Sequence, residues 1–144
     1  MKQLFFLLAF LLTGTVSWSQ NDSSADLDMD EHKVVMQLTS ADTNVHKMML
    51  RQIGNLLSAA PNTKVEVVCH ANGINMLMTQ QTKVQAKIAE LKSKGVEFMA
   101  CENTMREKKI TREEMIPEAG YVKAGLLEII KKQEQGWSYI RSAQ

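Results

Sequence analysis

The sequence predicts a single α/β domain of three layers, a mostly parallel sheet with helices on both faces, and three observations carry that prediction. Short apolar runs with β-branched residues (Lys33 to Leu38, KVVMQL; Lys64 to Val68, KVEVV; Val96 to Ala100, VEFMA) alternate with longer stretches whose apolar residues recur every three or four positions. That is the pattern of strands joined by helical crossovers. Such crossovers are right-handed, which lets helices cover both sides of the sheet. The third observation is length: the 144 residues suit one core and are too few for two comfortable ones.

Element by element, the chain opens with Met1-Lys2 and the charge-free run Leu4 to Leu12 (LFFLLAFLL). A positive start and a short apolar core read as a secretory signal peptide. About nine apolar residues are too few to span a bilayer as a helix. Ser17-Trp18-Ser19 puts small residues at the two positions a signal peptidase reads, so cleavage is expected before Gln20, with residues 1–19 removed. No cysteine lies at that junction to carry a lipid, and no second run is long enough to hold the mature chain in a membrane. The expected product is soluble, and periplasmic or secreted. Residues 20–31 are acidic, polar and aperiodic (NDSSADLDMDE from Asn21), a flexible lead-in to a domain expected over 32–144.

KVVMQL is the first expected strand. Asp42 or Thr43 can cap the helix that follows, where Val45, Met48, Met49, Ile53, Leu56 and Leu57 share one face up to Pro61. Lys64 to Val68 is the second strand, followed by a loop around Cys69 to Gly73 and a helix from about Lys83 to Lys94 closed by Gly95. Val96 to Ala100 is the third strand. A short helical segment near Asn103 to Lys109, a loop with Pro117, a very short strand at Gly120-Tyr121-Val122, a helix over Lys123 to Gln135 and a last strand at Trp137 to Ile140 complete the domain. The sheet thus has five strands.

Charge excludes some partners. Without Lys2 the mature chain carries 16 basic and 16 acidic side chains. Phosphate backbones and anionic membranes are bound by clustered Lys and Arg, so neither nucleic acid nor a membrane surface is an expected partner.

Cys101 stands out because it ends an apolar strand and is followed at once by Glu102-Asn103-Thr104. In open α/β sheets ligands bind at the carboxyl ends of strands. A helical turn beginning near Asn103 would aim unpaired N–H groups at the thiol and favour the thiolate, the nucleophilic form. Glu102 would oppose this if its carboxylate points at the sulfur. The alternative is that Cys101 is a small buried hydrophobe.

ACENTMREKKIT, the Pro117 loop and VKAGLLEIIKKQEQGWSYI, together with VEVVCHANGINML upstream, resemble the DsrE/DsrF-like sulfur-relay family over nearly all of Lys33 to Arg141. The resemblance lies in the order and spacing of several segments. It implies a five-stranded α/β fold, a homo-oligomer (trimer or hexamer), and Cys101 at the position where sulfur-carrying members hold a persulfide. On that reading Cys101 is the nucleophile, and Gly73, Asn103 and Thr104 shape its loop and helix start. His70 follows a neighbouring strand's carboxyl end, which would put it at the mouth of the site, the alternative being an ordinary loop histidine. The partners implied are sulfur donor and acceptor proteins or small polysulfides, and the chemistry needs no metal or other cofactor. The signal peptide departs from the family's best understood relays, which are cytoplasmic and in some cases feed tRNA thiolation. The rival reading is a non-catalytic periplasmic small-ligand-binding or oligomeric interaction protein on the same fold.

Other constellations are weaker. With a flavodoxin-like strand order of 2-1-3, the first strand would separate Cys69 from Cys101 by two spacings, about 9.6 Å. A disulfide needs Cα atoms within about 7 Å, so Cys69 is expected to be free and structural. Cys69, His70 and His46 lack the paired spacing of a zinc site. Of the ten methionines, Met36, Met48, Met49 and Met99 fall on core positions, while Met76, Met78 and Met105 could line the site or a subunit contact. Glu113-Glu114 and Glu102 are not paired as acid-base work requires. Arg106, Lys108 and Lys109 could attract an anionic donor, although Glu107 sits among them.

Overall fold

The computed structural model describes residues 27–142. The expected signal peptide, residues 1–19, lies outside the described residues, as does the lead-in up to residue 26. From there the backbone N–H of Asp28 donates to the Ala59 carbonyl at 3.0 Å, and the Asn62 amide donates to the Met29 carbonyl at 2.8 Å.

Strand β1 (Lys33–Leu38) buries Val34, Val35, Met36 and Leu38. Consecutive buried residues mean that both faces of the sheet are covered, which is why the sequence shows a continuous apolar run here. Helix α1 (Thr43–Ala59) starts at Asp42, whose carboxylate accepts the Asn44 N–H at 2.8 Å. The chain continues through β2 (Lys64–Cys69), a 3₁₀ segment (Ala71–Leu77), α2 (Gln85–Ser93), β3 (Glu97–Cys101), α3 (Glu102–Lys108), a 3₁₀ turn (Arg112–Glu114), β4 (Gly120–Val122), α4 (Gly125–Glu134) and β5 (Ser138–Arg141). Gly95 ends α2 at a φ of 91°, a conformation that favours glycine.

All four strand pairings are parallel, and the order is β4-β3-β2-β1-β5. The 2-1-3 order is therefore not adopted. Helices α1 and α2 both pack on one face, sharing a core with Leu38, Val67, Phe98 and Ala100. Successive right-handed crossovers on the same face step the sheet in the same direction, so β2 and β3 are laid down in turn beyond β1. Only α4, which covers Val35, Val68 and Val122 on the other face, returns the chain to place β5 beside β1.

The two cysteines are consequently on adjacent strands, and the separation argued from strand spacing fails. Both are nonetheless free, for a different reason. Cys69 pairs with Ala100, one residue before Cys101. Side chains alternate across a sheet, so Cys69 points into the α1–α2 core and Cys101 toward α4.

Candidate functional site

Cys101 ends β3, and everything around it comes from the carboxyl ends of the neighbouring strands. Beside it β4 ends at Val122, its register partner, and α4 then starts at Gly125. On the other side β2 ends at Cys69, not in a loop as expected, and His70 follows. These connections enclose a pocket of about 230 Å³ lined by His70, Ala71, Cys101, Asn103, Thr104, Glu107, Ala124, Gly125 and Leu126.

The sulfur lies at the inner wall, and Cys101 is 4% exposed. The Gly125 N–H donates to Sγ at 3.2 Å. Burial pushes the thiol pKa up, but donors from Thr104 (N–H and hydroxyl), Gly125 and Asn103 outweigh it and hold the pKa below the ordinary 9.0. The Asn103 N–H is shared, since it also donates to the Lys123 carbonyl at 3.2 Å. Thr104 Oγ1 accepts the Ala71 N–H at 3.1 Å, which leaves its own proton for the sulfur. Ala71 reaches that position with a φ of 49°, a left-handed conformation uncommon for residues other than glycine. Glu102 does not oppose the thiolate, because its carboxylate turns away to Arg112 at 2.6 Å.

His70 is half-buried, with burial first and Arg141 second holding its pKa below the ordinary value. The Tyr139 hydroxyl donates to Gln37 Oε1, which orients the Gln37 amide to donate to His70 Nε2 at 2.7 Å. That assignment makes His70 the neutral tautomer with its proton on Nδ1. Asn103 lines the pocket while its Oδ1 accepts from Arg106.

The pocket thus brings together Cys101, His70, Asn103 and Thr104, but not Gly73. A Cβ at Gly73 would stand 2.2 Å from the Leu38 carbonyl oxygen, so its glycine lets the 3₁₀ segment lie against the end of β1. Met76 is fully buried and Met105 nearly so, both in the α1–α2 core, and neither lines this pocket. His46 is 3% exposed and bonds the Ser40 carbonyl at 2.8 Å. Among the described residues no group of three or more His, Cys, Asp or Glu side chains is arranged to hold a metal. Cys69 is fully buried and burial raises its pKa strongly, so its thiol stays protonated.

Gly125 was not among the residues the sequence singled out. The apolar periodicity predicts a helix from Lys123, which makes Gly125 one more residue of its first turn and gives no sign that its N–H faces the sulfur. The observed helix begins at Gly125 itself, and a glycine just after a short strand was the available signal. An added Cβ there would also be tight, 3.2 Å from Val68 Cγ1 and 3.3 Å from His70 Cβ.

A family model described as the DsrE/DsrF-like family matches residues 29–141. Among solved structures, the chain is similar to a protein of unknown function from Methanobacterium thermoautotrophicum, with 27% identity and a TM-score of 0.72, over 76% of this chain and 98% of the other. No curated protein matches it.

Proposed function

The chain belongs to the DsrE/DsrF-like family, and from that premise we propose that it is an exported sulfur carrier in which Cys101 accepts and passes on persulfide sulfur. One observation carries the reading: a strand-end thiol faces a pocket and is met by the Gly125 N–H at 3.2 Å, with further donors from Thr104 and Asn103. Such an arrangement favours the thiolate.

The chemistry follows from that species. The Cys101 thiolate attacks the outer sulfur of a donor persulfide, R–S–SH. A new S–S bond forms, the donor S–S bond breaks, and RS⁻ leaves with the electron pair. The product is Cys101–S–SH. An acceptor thiolate then attacks the outer sulfur and Cys101 leaves as the thiolate. Each step exchanges one S–S bond for another and needs no external oxidant. Good donors to Sγ help twice, raising the thiolate fraction and stabilising Cys101 as the leaving group. Asn103 and Thr104 shape the sulfur's surroundings, and neutral His70 forms part of the pocket wall that receives the donor.

A homo-oligomer, trimer or hexamer, is part of the proposal. Leu126, Leu127 and Ile130 on α4 are 61%, 48% and 51% exposed, and Tyr139 and Ile140 on the edge strand are 41% and 44% exposed. Apolar area of this kind marks association surfaces. No helix among the described residues is long and apolar enough to cross a membrane. The rival, a ligand-binding or interaction protein with an inert cysteine, draws on the 4% exposure of Cys101.

Mass spectrometry of protein recovered from expressing cells tests each part. The chain should begin at Gln20, and native spectra should show three or six subunits. After polysulfide exposure it should gain one reducible sulfur that is lost in Cys101→Ser and kept in Cys69→Ser. No gain, or a gain that follows Cys69, favours the rival.

A further inference from the structure

On the face of the sheet opposite Cys101, α1 and α2 leave a groove of about 320 Å³. Lys47 and Arg51, one turn apart on α1, form one wall, with Lys87 and Lys94 among the residues that complete the lining. Helix α1 contains no acidic residue, and among the described residues neither Lys47 nor Arg51 has an ion-pair partner. Like charges four apart on a helix repel, so an acid at either position would serve helix stability better. On the α2 side, Glu90 alone holds both Lys87, at 2.7 Å, and Lys94, at 2.9 Å. It fixes two ammonium groups beside the groove without matching the total charge. Gly54 lines the groove from the interior of α1, where glycine weakens a helix. A Cβ there would meet nothing nearer than Lys87 Nζ at 4.0 Å, so close packing of the fold does not require the glycine. What the glycine provides is open space beside an ammonium group.

We propose that this groove is a binding site for a small, free polyvalent oxyanion of the diphosphate type. The Arg51 guanidinium suits bidentate contact with one terminal group, while Lys47, Lys87 and Lys94 act as point charges around the remainder. Ligand pockets run from about 300 to 1,000 Å³, so a groove of this size takes a small molecule. All four cations line this one recess, which suits a compact anion better than a polymer. The site is independent of Cys101 and of its proposed chemistry.

Isothermal titration of the mature protein with inorganic diphosphate at low salt tests it, using Lys47→Glu/Arg51→Glu and Gly54→Leu. The second variant fills the recess and leaves every charge in place, with circular dichroism confirming the fold of both. Saturable one-to-one binding is expected for the wild type, about tenfold or more weaker in both variants. Absence of saturable binding, or wild-type affinity in either variant, would overturn the proposal.

Discussion

At Cys101 two opposed effects act on one sulfur atom. Burial alone would raise the thiol pKa, as it does at Cys69, where no donor answers it. Because the donors at Cys101 prevail, the folded chain releases this proton more readily than the unfolded one. Cys101 therefore contributes stability that is fully present above 9.0 and is lost as pH falls through its lower folded-state value. Thr104 contributes both an N–H and a hydroxyl. Thr104→Val removes the hydroxyl and leaves the Ala71 N–H without its 3.1 Å partner. A hydrogen bond to a charged group is worth about 1.5–3 kcal/mol. Alkylation of Cys101 at neutral pH should therefore slow about tenfold in Thr104→Val and recover in Thr104→Ser. Cys101, Asn103, Thr104 and His70 could be placed at one end of the sheet from sequence, because each directly follows or ends an apolar strand. Gly125 could not. Its N–H reaches the sulfur only because β4 lies beside β3, a pairing that local pattern does not encode.

At the scale of elements, α4 is fastened to the sheet by a charge as well as by apolar contact. Glu66 on β2 is 2% exposed and meets Lys132 of α4 at 2.5 Å, and Lys132 in turn lies 4.3 Å from the centre of the Trp137 ring. Burial chiefly, with Glu128 and Glu97 adding, raises the Glu66 pKa against the pull of Lys132. One of its oxygens, Oε1, has no hydrogen-bond partner. A raised folded-state value means that this carboxyl favours the fold below 4.5, and that the advantage is lost as pH rises through the folded value. Lys132→Met leaves the carboxylate buried without its cation. Breaking such a pair costs about 3 kcal/mol, and the loss should shrink once Glu66 is protonated. Urea midpoints for wild type and Lys132→Met should therefore differ more at neutral pH than below 4.5. An equal difference at both would contradict this account of the pair. Most elements were legible from periodicity, and their ends moved by only a residue or two. The Ala71–Leu77 segment shows no helical signal in the sequence, because a 3₁₀ segment is too short to show a period. Glu66 looked like an ordinary polar position in KVEVV, and nothing local signals its partner 66 residues away.

For the whole molecule, the face on which each helix packs decided what sequence could not. The α/β class and the family resemblance both stand, and the parallel sheet follows from the alternation of strand and helix. The order β4-β3-β2-β1-β5 was not readable, because an amphipathic helix carries the same pattern on either face of a sheet. That order makes β2 and β3 neighbours, and their register, with Cys69 beside Ala100, gives the two cysteines opposite surroundings. Cys69 lies under α1 and α2 in the larger core, while Cys101 opens toward the α4 side, where the helix covers the sheet thinly and leaves Leu126 exposed at the pocket.

The most direct measurement is the rate of iodoacetamide alkylation at each cysteine of the native protein as a function of pH, resolved by peptide mass spectrometry. Cys101 should react with a midpoint below 9.0 while Cys69 stays protected until the chain is unfolded. A Cys101 midpoint at or above 9.0, or protection of both thiols until unfolding, would contradict a thiolate held ready at the end of β3.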